Sequence, residues 1–198
     1  MTSAMVKTRD KLIEVARLLF ARTGVENTTM NDIATASKKG MRTLYTYFKS
    51  KTDIYWAVVD SELHILYNAL EVVVNKEMPA DTKLLEFIRV RSKIIKQVVL
   101  RNGTLKAYFF RDIWRVEKVR KDFDLQEIHY IQAILAEGVQ KGIFDIKDTA
   151  SMAVILHYAL KGLEVPYIQG TVKDISLSGS RTVEDVVNLL FNGIKKKE

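Results

Sequence analysis

The chain contains no cysteine, two prolines and nine glycines among its 198 residues. Without cysteine it forms no disulfide, carries no thiolate nucleophile and offers no cysteine-ligated zinc site. Average usage would give about 14 glycines and about 10 prolines, so residues that favour turns are scarce and we expect long helices. No apolar run approaches the roughly 18 residues that span a bilayer. The longest clear run is Ile54 to Val59, and we expect no membrane partner.

The sequence also lacks the signatures of secretion and catalysis. Glu14 and Arg17 interrupt the stretch that a secretory signal would need as an unbroken apolar region, so we expect a cytoplasmic protein. The three histidines show no H-E-x-x-H spacing, and no G-x-S-x-G, G-x-G-x-x-G or Walker-type loop is present. We therefore expect no catalytic residue, no metal site and no cofactor.

Positive charge is in excess, and it is concentrated near the N-terminus. The formal net charge is +7, which favours an anionic partner. From Ile33 to Thr52 there is no acidic residue, whereas five basic residues lie in the same stretch: Lys38, Lys39, Arg42, Lys49 and Lys51.

Hydrophobic periodicity and capping signals predict four helices in the N-terminal third, at about 8–22, 29–36, 41–48 and 50–76. Gly24 is expected to stop the first helix. Thr29 with Asp32 and Ser50 with Asp53 have the spacing of a capping box, which predicts helix starts at these positions.

The rest of the chain shows helical periodicity as well. The next two helices are expected to start at Asp81 or Thr82 and to span about 104–116. A charged stretch then precedes a predicted helix from Leu125 to Val139. The last two helices are expected to start at Asp145 or Asp148 and at Thr182. The total is nine helices with no convincing strand, which predicts an all-α protein. Arg91 is the odd member of an otherwise apolar stripe, and we expect its side chain to reach the surface.

The predicted helix before Pro166 is apolar on nearly all sides, so it needs cover on more than one face. A homodimer would supply that cover through the two C-terminal helices. The alternative is a central core helix in a monomer. The expected interface residues are Met152, Ile155, Leu156, Ala159, Leu163, Val187, Leu190, Phe191 and Ile194.

The second and third predicted helices form a helix-turn-helix pattern within the acid-free basic stretch. The third helix would enter the major groove of DNA, where Arg42 can donate two hydrogen bonds to a guanine. Lysines and tyrosines further along suit phosphate contacts. The alternative is that Leu44, Tyr45 and Phe48 are core residues and that the lysines form a solvated face.

Two runs carry a resemblance to a known family: 28–34 (TTMNDIA) and 42–51 (RTLYTYFKSK). They resemble the N-terminal domain signature of the TetR family of transcriptional regulators. The resemblance implies base contacts from Asn31, Met41, Arg42, Thr43 and Thr46, and phosphate contacts from Tyr45, Tyr47 and Lys51. With the residues that spacing adds, the expected DNA-binding set is Thr29, Asn31, Met41, Arg42, Thr43, Tyr45, Thr46, Tyr47, Lys49 and Lys51.

The resemblance further implies a helix-turn-helix domain at 1–50 and a helical ligand-binding and dimerisation domain at 51–198. It implies a homodimeric repressor that binds a partly palindromic operator on double-stranded DNA and is released by an unidentified small-molecule effector. The competing interpretation is a helix-turn-helix interaction or architectural protein without an effector. The long helix from Ser50 would connect both domains.

The candidate lining of the effector pocket is aromatic and basic: His64, Tyr67, Arg91, Tyr108, Phe109, Phe110 and Trp114. Aromatic residues at helical spacing are more often core residues, which is the alternative for each of them. His129 and His157 lie in apolar stretches, and we interpret them as hydrogen-bonded core or interface histidines rather than as ligand contacts.

One departure from the family pattern lies in the predicted turn. The family usually has glycine and then an apolar residue there, whereas this chain has Lys38 and Lys39. A lysine in left-handed geometry costs on the order of 1 kcal/mol, so we expect the turn to be reshaped around Gly40.

Overall fold

The computed structural model describes residues 3–102 and 113–169, with the side chains of 113–119 and 163–169 outside that description. This part of the chain consists of helices without a strand, which confirms the all-α prediction. The seven helices are α1 (Ser3–Thr23), α2 (Met30–Ser37), α3 (Met41–Tyr47), α4 (Lys51–Val74), α5 (Ala80–Arg101), α6 (Ile113–Gln140) and α7 (Thr149–Gln169). None of the described helices has the length and hydropathy to cross a membrane. The helix expected from Thr182 lies outside the described residues.

The chain divides into two compact units. The first contains the described residues up to His64 and those within Val98–Val116, which belong to the end of α5 and the start of α6. The second contains Ile65–Gln97 and the described residues from Glu117 onward. Helices α4, α5 and α6 therefore contribute residues to both units.

The two predicted capping boxes are present, because they depend only on neighbouring residues. The Thr29 hydroxyl accepts from the backbone N–H of Asp32 at 3.1 Å, and the Asp32 carboxylate accepts from the N–H of Thr29 at 2.8 Å. Ser50 and Asp53 exchange the corresponding bonds at 3.1 and 3.0 Å at the start of α4. Gly24 ends α1 at φ +87°, a left-handed value that favours glycine.

In the first unit, apolar residues of α1 to α4 form the core, among them Leu12, Phe20, Ile33, Leu44 and Ile54, which are all fully buried. The chain length between these helices is short, so this shared core fixes their mutual orientation. It thereby sets the direction in which the outer face of α3 points.

A cluster of ionic groups ties α1 to α4 and to the end of α5 within the first unit. The buried Arg17 guanidinium donates two bonds to Glu14, at 2.8 and 2.6 Å, and one to the backbone oxygen of Arg101 at 3.0 Å. Arg101 in turn donates to Glu62 at 2.7 Å. The hydrogen bond from Arg17 lowers the pKa of Glu14, whereas burial raises the pKa of Glu62. Local spacing did not indicate this cluster, since its partners lie up to 84 positions apart.

In the second unit, the end of α4 packs with α5, α6 and α7 around an apolar core that includes Leu70, Phe87, Ile131 and Leu156. The segment after α6 folds back so that the Phe144 ring lies directly on Gly138. A Cβ built at that glycine would overlap the ring.

Three predicted boundaries are wrong. The charged stretch before Leu125 does not separate two helices, because α6 runs through it without a break. Helix α5 begins at Ala80, ahead of both predicted caps at 81 and 82, and Asp81 instead accepts from the N–H of Thr82 in the first turn. Helix α7 continues through Pro166 to Gln169.

Candidate nucleic-acid interface

Helices α2 and α3 are joined by three residues, 38–40, as the helix-turn-helix prediction requires. Ile33 and Ala34 of α2, Leu44 of α3 and Phe48 at its end are buried. These side chains anchor both short helices on the core. The polar residues between them on the helical surface are consequently left to face outward.

The turn contradicts the expectation that it is reshaped around Gly40. Lys38 itself adopts the left-handed conformation, at φ 55° and ψ 41°. Its N–H donates to the oxygen of Thr35 at 3.1 Å, and the N–H of Lys39 donates to that of Ala34 at 3.0 Å. Gly40 is extended, at φ −69° and ψ 151°, and forms the N-cap of α3 without a side-chain bond. The C-terminal cap of α2 requires a left-handed residue directly after Ser37. The place of this residue in the chain, and not its type, therefore determines which residue adopts the left-handed conformation.

The expected base-reading residues of α3 are at its surface. Arg42 and Thr46 are exposed, and Met41 and Thr43 are partly exposed. The Thr46 hydroxyl donates to the backbone oxygen of Arg42 at 2.9 Å. The Arg42 guanidinium makes no ion pair with any residue that the structure describes, so its five donors remain free for a ligand.

The expected residues of α2 differ in what they can offer. Asn31 is exposed. Thr29 is also exposed, but its hydroxyl is occupied twice by Asp32, since it accepts from the backbone N–H and donates to the carboxylate at 2.7 Å. Thr29 therefore stabilises the start of α2, and a DNA contact from its hydroxyl would compete with the cap.

The expected phosphate-contacting residues follow along the same surface. Tyr45 is 51% exposed, Lys49 is exposed and Tyr47 is partly exposed. The Lys51 ammonium donates to the backbone oxygen of Glu26 at 3.1 Å, which holds it beside the loop before α2. Sequence reasoning missed Arg9, whose guanidinium lies over the Phe48 ring at 5.6 Å and adds a cation beside the end of α3.

The surface formed by these residues has one sign of charge. The acidic residues that bound the acid-free stretch, Asp32 and Asp53, are both engaged in capping boxes. Hydrogen bonds from the side chain and backbone of Thr29 lower the pKa of Asp32, so that carboxylate stays ionised in its cap. The outward face of α3 thus presents one cation, Arg42, and uncharged donors, with lysines on either side of the helix. A phosphate backbone and base edges require this arrangement.

The expected effector residues fall into three groups. Tyr108, Phe109, Phe110 and Trp114 lie outside the described side chains. His64 belongs to the first unit, where its exposed ring lies 3.9 Å from Asp60. Tyr67 and Arg91 belong to the second unit and contact the same two turns of α6.

Tyr67 packs its ring on two aromatic residues of α6. The centroid distances are 6.2 Å to Phe123 and 5.5 Å to Tyr130. This aromatic group is partly buried, as the core alternative predicts, and it faces the part of α6 that also carries the polar residues described next.

The expectation for Arg91 is wrong, because its side chain is fully buried. Its Nε donates to Glu127 Oε1 at 2.7 Å. Burial lowers the pKa of Arg91, and the adjacent Glu127 charge opposes that effect. Since its charge is balanced by a carboxylate, its inward position does not by itself indicate an anionic effector.

The interpretation of His157 as a hydrogen-bonded core histidine is confirmed. The ring is fully buried, with Nδ1 at 3.2 Å from Glu127 Oε1 and Nε2 at 3.7 Å from Asp124. Lys161 donates to the same Asp124 at 2.9 Å. His129, in contrast, is exposed in this chain. No sequence pattern indicated Glu127 and Asp124 as partners, because they lie 30 and 37 positions from His157 and Lys161. Arg120, one turn before Asp124, is the exception, since it lies 3.5 Å from that carboxylate.

The expected dimer residues within α7 point in two directions. Ile155 is 59% exposed, Ala159 is exposed and Met152 is partly exposed. Leu156 is buried in the core of its own unit and is therefore unavailable to a partner. The remaining expected residues, Leu163, Val187, Leu190, Phe191 and Ile194, lie outside the described side chains.

Among the described residues, no group of three or more metal-ligating side chains occurs.

The segment that matches known proteins contains the helix-turn-helix and runs from α1 into α4. Residues 12–58 match the family model of bacterial regulatory proteins, tetR family. Over 90 residues, 46% of this chain, the sequence is 32% identical to the "Probable acrEF/envCD operon repressor" of Escherichia coli (strain K12), of which it covers 39%. Over 57 residues, 29% of this chain, it is 44% identical to an HTH-type transcriptional regulator of Staphylococcus aureus (strain USA300), of which it covers 31%.

The likeness in structure extends further along the chain than the likeness in sequence. A transcriptional regulator from Cytophaga hutchinsonii is similar with a TM-score of 0.73 and 21% identity, over 94% of this chain and 98% of that chain. Because the sequence identity is low, this similarity shows that the two chains share a fold and nothing more.

Proposed function

We propose that the chain, whose residues 12–58 match the family model of bacterial regulatory proteins, tetR family, is a sequence-specific DNA-binding transcriptional repressor of that family. The observation that carries the proposal is the outward face of α3, which is exposed, basic and free of acidic residues on a helix held by a buried core. On DNA, α3 lies in the major groove and the residues around it contact the flanking phosphates.

In this proposal, Arg42 reads a guanine through two hydrogen bonds, which is the commonest specific contact of an arginine in the major groove. Lys49 and Tyr45 contact phosphates and contribute affinity without specificity. Lys51 can contact a phosphate while it keeps its bond to Glu26, because the ammonium has two further N–H donors.

The repressor acts as a homodimer on a partly palindromic site. The exposed apolar side of α7 supports this part of the proposal, because Ile155 and Tyr158 are more than half exposed on a helix whose other side is core. Apolar area of this kind on a single helix is typical of an interface between subunits. Two copies would present their α3 helices to successive major grooves about 34 Å apart.

A small-molecule effector binds the second unit and releases the protein from DNA. The rings of Tyr67 and Phe123, which pack on each other and are only partly buried, support placing the effector at this part of α6. Release requires that the effector bind the DNA-free state more tightly than the DNA-bound state. Helix α4 contributes to both units and is the element through which such a difference would be transmitted.

Fluorescence anisotropy tests the proposal on duplexes that tile the DNA upstream of the gene, with a scrambled duplex as control, at about 0.15 M salt. A specific site should bind at least ~10³ times more tightly than the scrambled duplex. Equal, weak and salt-dependent binding to every duplex would favour an architectural protein. Thermal-shift screening then tests the effector, because a ligand at a hundred times its Kd adds about 2.7 kcal/mol of stability.

A further inference from the structure

In the turn between α2 and α3, a lysine adopts the conformation that favours glycine, and the glycine adopts an extended conformation that any residue can adopt. Lys38 is the one non-glycine residue with positive φ in the described part of the chain. Gly40, two positions later, is extended, and a Cβ built there would meet no atom of the described residues within 4 Å. Glycine is thus absent where it would relieve strain and present where any residue would fit.

Nothing in the described part of the chain compensates the strain at Lys38. In the left-handed conformation the Cβ approaches the following carbonyl oxygen, so glycine would be the more stable residue. The backbone bonds that close α2 would be the same with glycine. The Lys38 side chain is exposed and makes no hydrogen bond or ion pair with any residue of the described ranges.

The turn places this side chain at the edge of the proposed DNA interface. Two peptide units separate Lys38 from the N-cap of α3, so the two Cα atoms are at most about 7 Å apart. The side chain adds a flexible four-carbon stem with an ammonium group at its end. In a major groove that holds α3, the nearest groups beyond the base edges are phosphates, which carry one charge per ~1.7 Å of duplex.

We infer that Lys38 is a phosphate-binding residue, and that the left-handed turn retains a lysine because the charge strengthens DNA binding at the expense of stability. A backbone outlier that nothing within the protein explains is a sound starting point for such an inference. The inference rests on the proposed function and adds to it a contact that is independent of base sequence.

The test compares three full-length variants with the wild type by thermal unfolding and by DNA binding on a specific and a scrambled duplex, at 0.05 to 0.3 M salt. Lys38→Gly should raise the Tm by about 2 °C. It should weaken binding to both duplexes by a similar factor, about three- to tenfold at 0.1 M salt. It should also reduce the slope of log K against log salt by about 1.8, or about 0.9 for each of the two lysines in the dimer.

Two variants serve as controls. Lys38→Arg keeps the charge and the strain, so it should keep the affinity, the slope and the Tm of the wild type. Lys147→Gln removes one positive charge from an exposed position before α7. It matches the change in net charge of Lys38→Gly and should leave DNA binding unchanged.

Three results would overturn the inference. Lys38→Gly could bind with unchanged affinity and slope, it could lose affinity for the specific duplex alone, or it could bind less tightly while its Tm falls, which would make the lysine a structural residue. Failure of the proposed function is distinguishable, because the wild type would then bind neither duplex, or both with equal affinity, before any variant is compared.

Discussion

The Nε of Arg91 donates a hydrogen bond to Oε1 of Glu127 over 2.7 Å in the core of the second unit. His157 brings Nδ1 to 3.2 Å from the same oxygen. A single carboxylate oxygen thereby joins α5, α6 and α7, and both the arginine and the histidine are fully buried. A buried ionic group of this kind makes each member depend on the others.

Replacing Arg91 should destabilise the protein strongly. Arg91→Leu leaves Glu127 ionised in the core without its main partner, so the free energy of unfolding should fall by about 3–5 kcal/mol. Urea unfolding followed by circular dichroism measures this change. Arg89→Leu, at an exposed position of the same helix, is the control and should change stability by less than about 1 kcal/mol. Similar values for the two variants would contradict the account of the buried pair.

The same carboxylate should make stability depend on pH in the acid range. Burial alone would raise the pKa of Glu127, but the charge of Arg91 and the hydrogen bonds from His157 and Arg91 outweigh burial and lower the pKa to about 2. Ionised Glu127 therefore stabilises the fold above its ordinary pKa of 4.5. That stabilisation is lost as the pH falls from about 4.5 toward about 2.

Glu127→Gln tests this dependence. The difference in unfolding free energy between wild type and variant should be large at pH 7 and should shrink at pH 3, as measured by urea unfolding at both values. Glu77→Gln, which changes an exposed carboxylate, should show no such convergence. A wild-type advantage that stays constant between pH 7 and pH 3 would mean that Glu127 titrates at its ordinary value.

Two glycines within helices should respond to alanine in opposite directions. At Gly138 a methyl group would overlap the Phe144 ring, so Gly138→Ala should destabilise by at least about 1 kcal/mol despite its better helix propensity. At Gly162 in α7 no atom of the described residues lies within 4 Å of the added carbon, so Gly162→Ala should stabilise by up to about 1 kcal/mol. Thermal unfolding distinguishes the two, and stabilisation by both would show that Phe144 moves aside freely.

The exposed side of α7 should hold the homodimer together. Sedimentation equilibrium should give the wild type twice the 22.7 kDa mass of one chain. Ile155→Glu places a charge in the middle of the proposed apolar interface and should yield monomers. Val72→Glu, at an apolar residue of α4 that is 61% exposed, should remain dimeric. A dimeric Ile155→Glu variant would exclude this side of α7 as the interface.

Local features of the sequence predicted local features of the fold. The capping boxes at Thr29 and Ser50 and the stop at Gly24 depend on groups within a few positions, and they are present as predicted. The helix-turn-helix prediction succeeded for the same reason. The turn itself was mispredicted, because closing α2 determines the left-handed position regardless of where the glycine lies.

Features that depend on distant partners could not be predicted. Arg91 was expected at the surface, since its partner Glu127 lies 36 positions later and no spacing rule connects them. The charged stretch before Leu125 suggested a break, yet α6 continues through it, and Asp124 in that stretch accepts a hydrogen bond from Lys161 of α7. In each case tertiary packing satisfies a charge that sequence reasoning assigned to solvent.

The role of Arg42 is the central claim about DNA recognition, and one comparison tests it most directly. The ratio of affinities for the specific and the scrambled duplex should be measured by anisotropy for the wild type and for Arg42→Ala. The account predicts that the variant loses about 1–3 kcal/mol on the specific duplex, far less on the scrambled one, and no longer distinguishes one base position. Equal losses on both duplexes would show that Arg42 contacts only the backbone and that α3 does not read sequence through it.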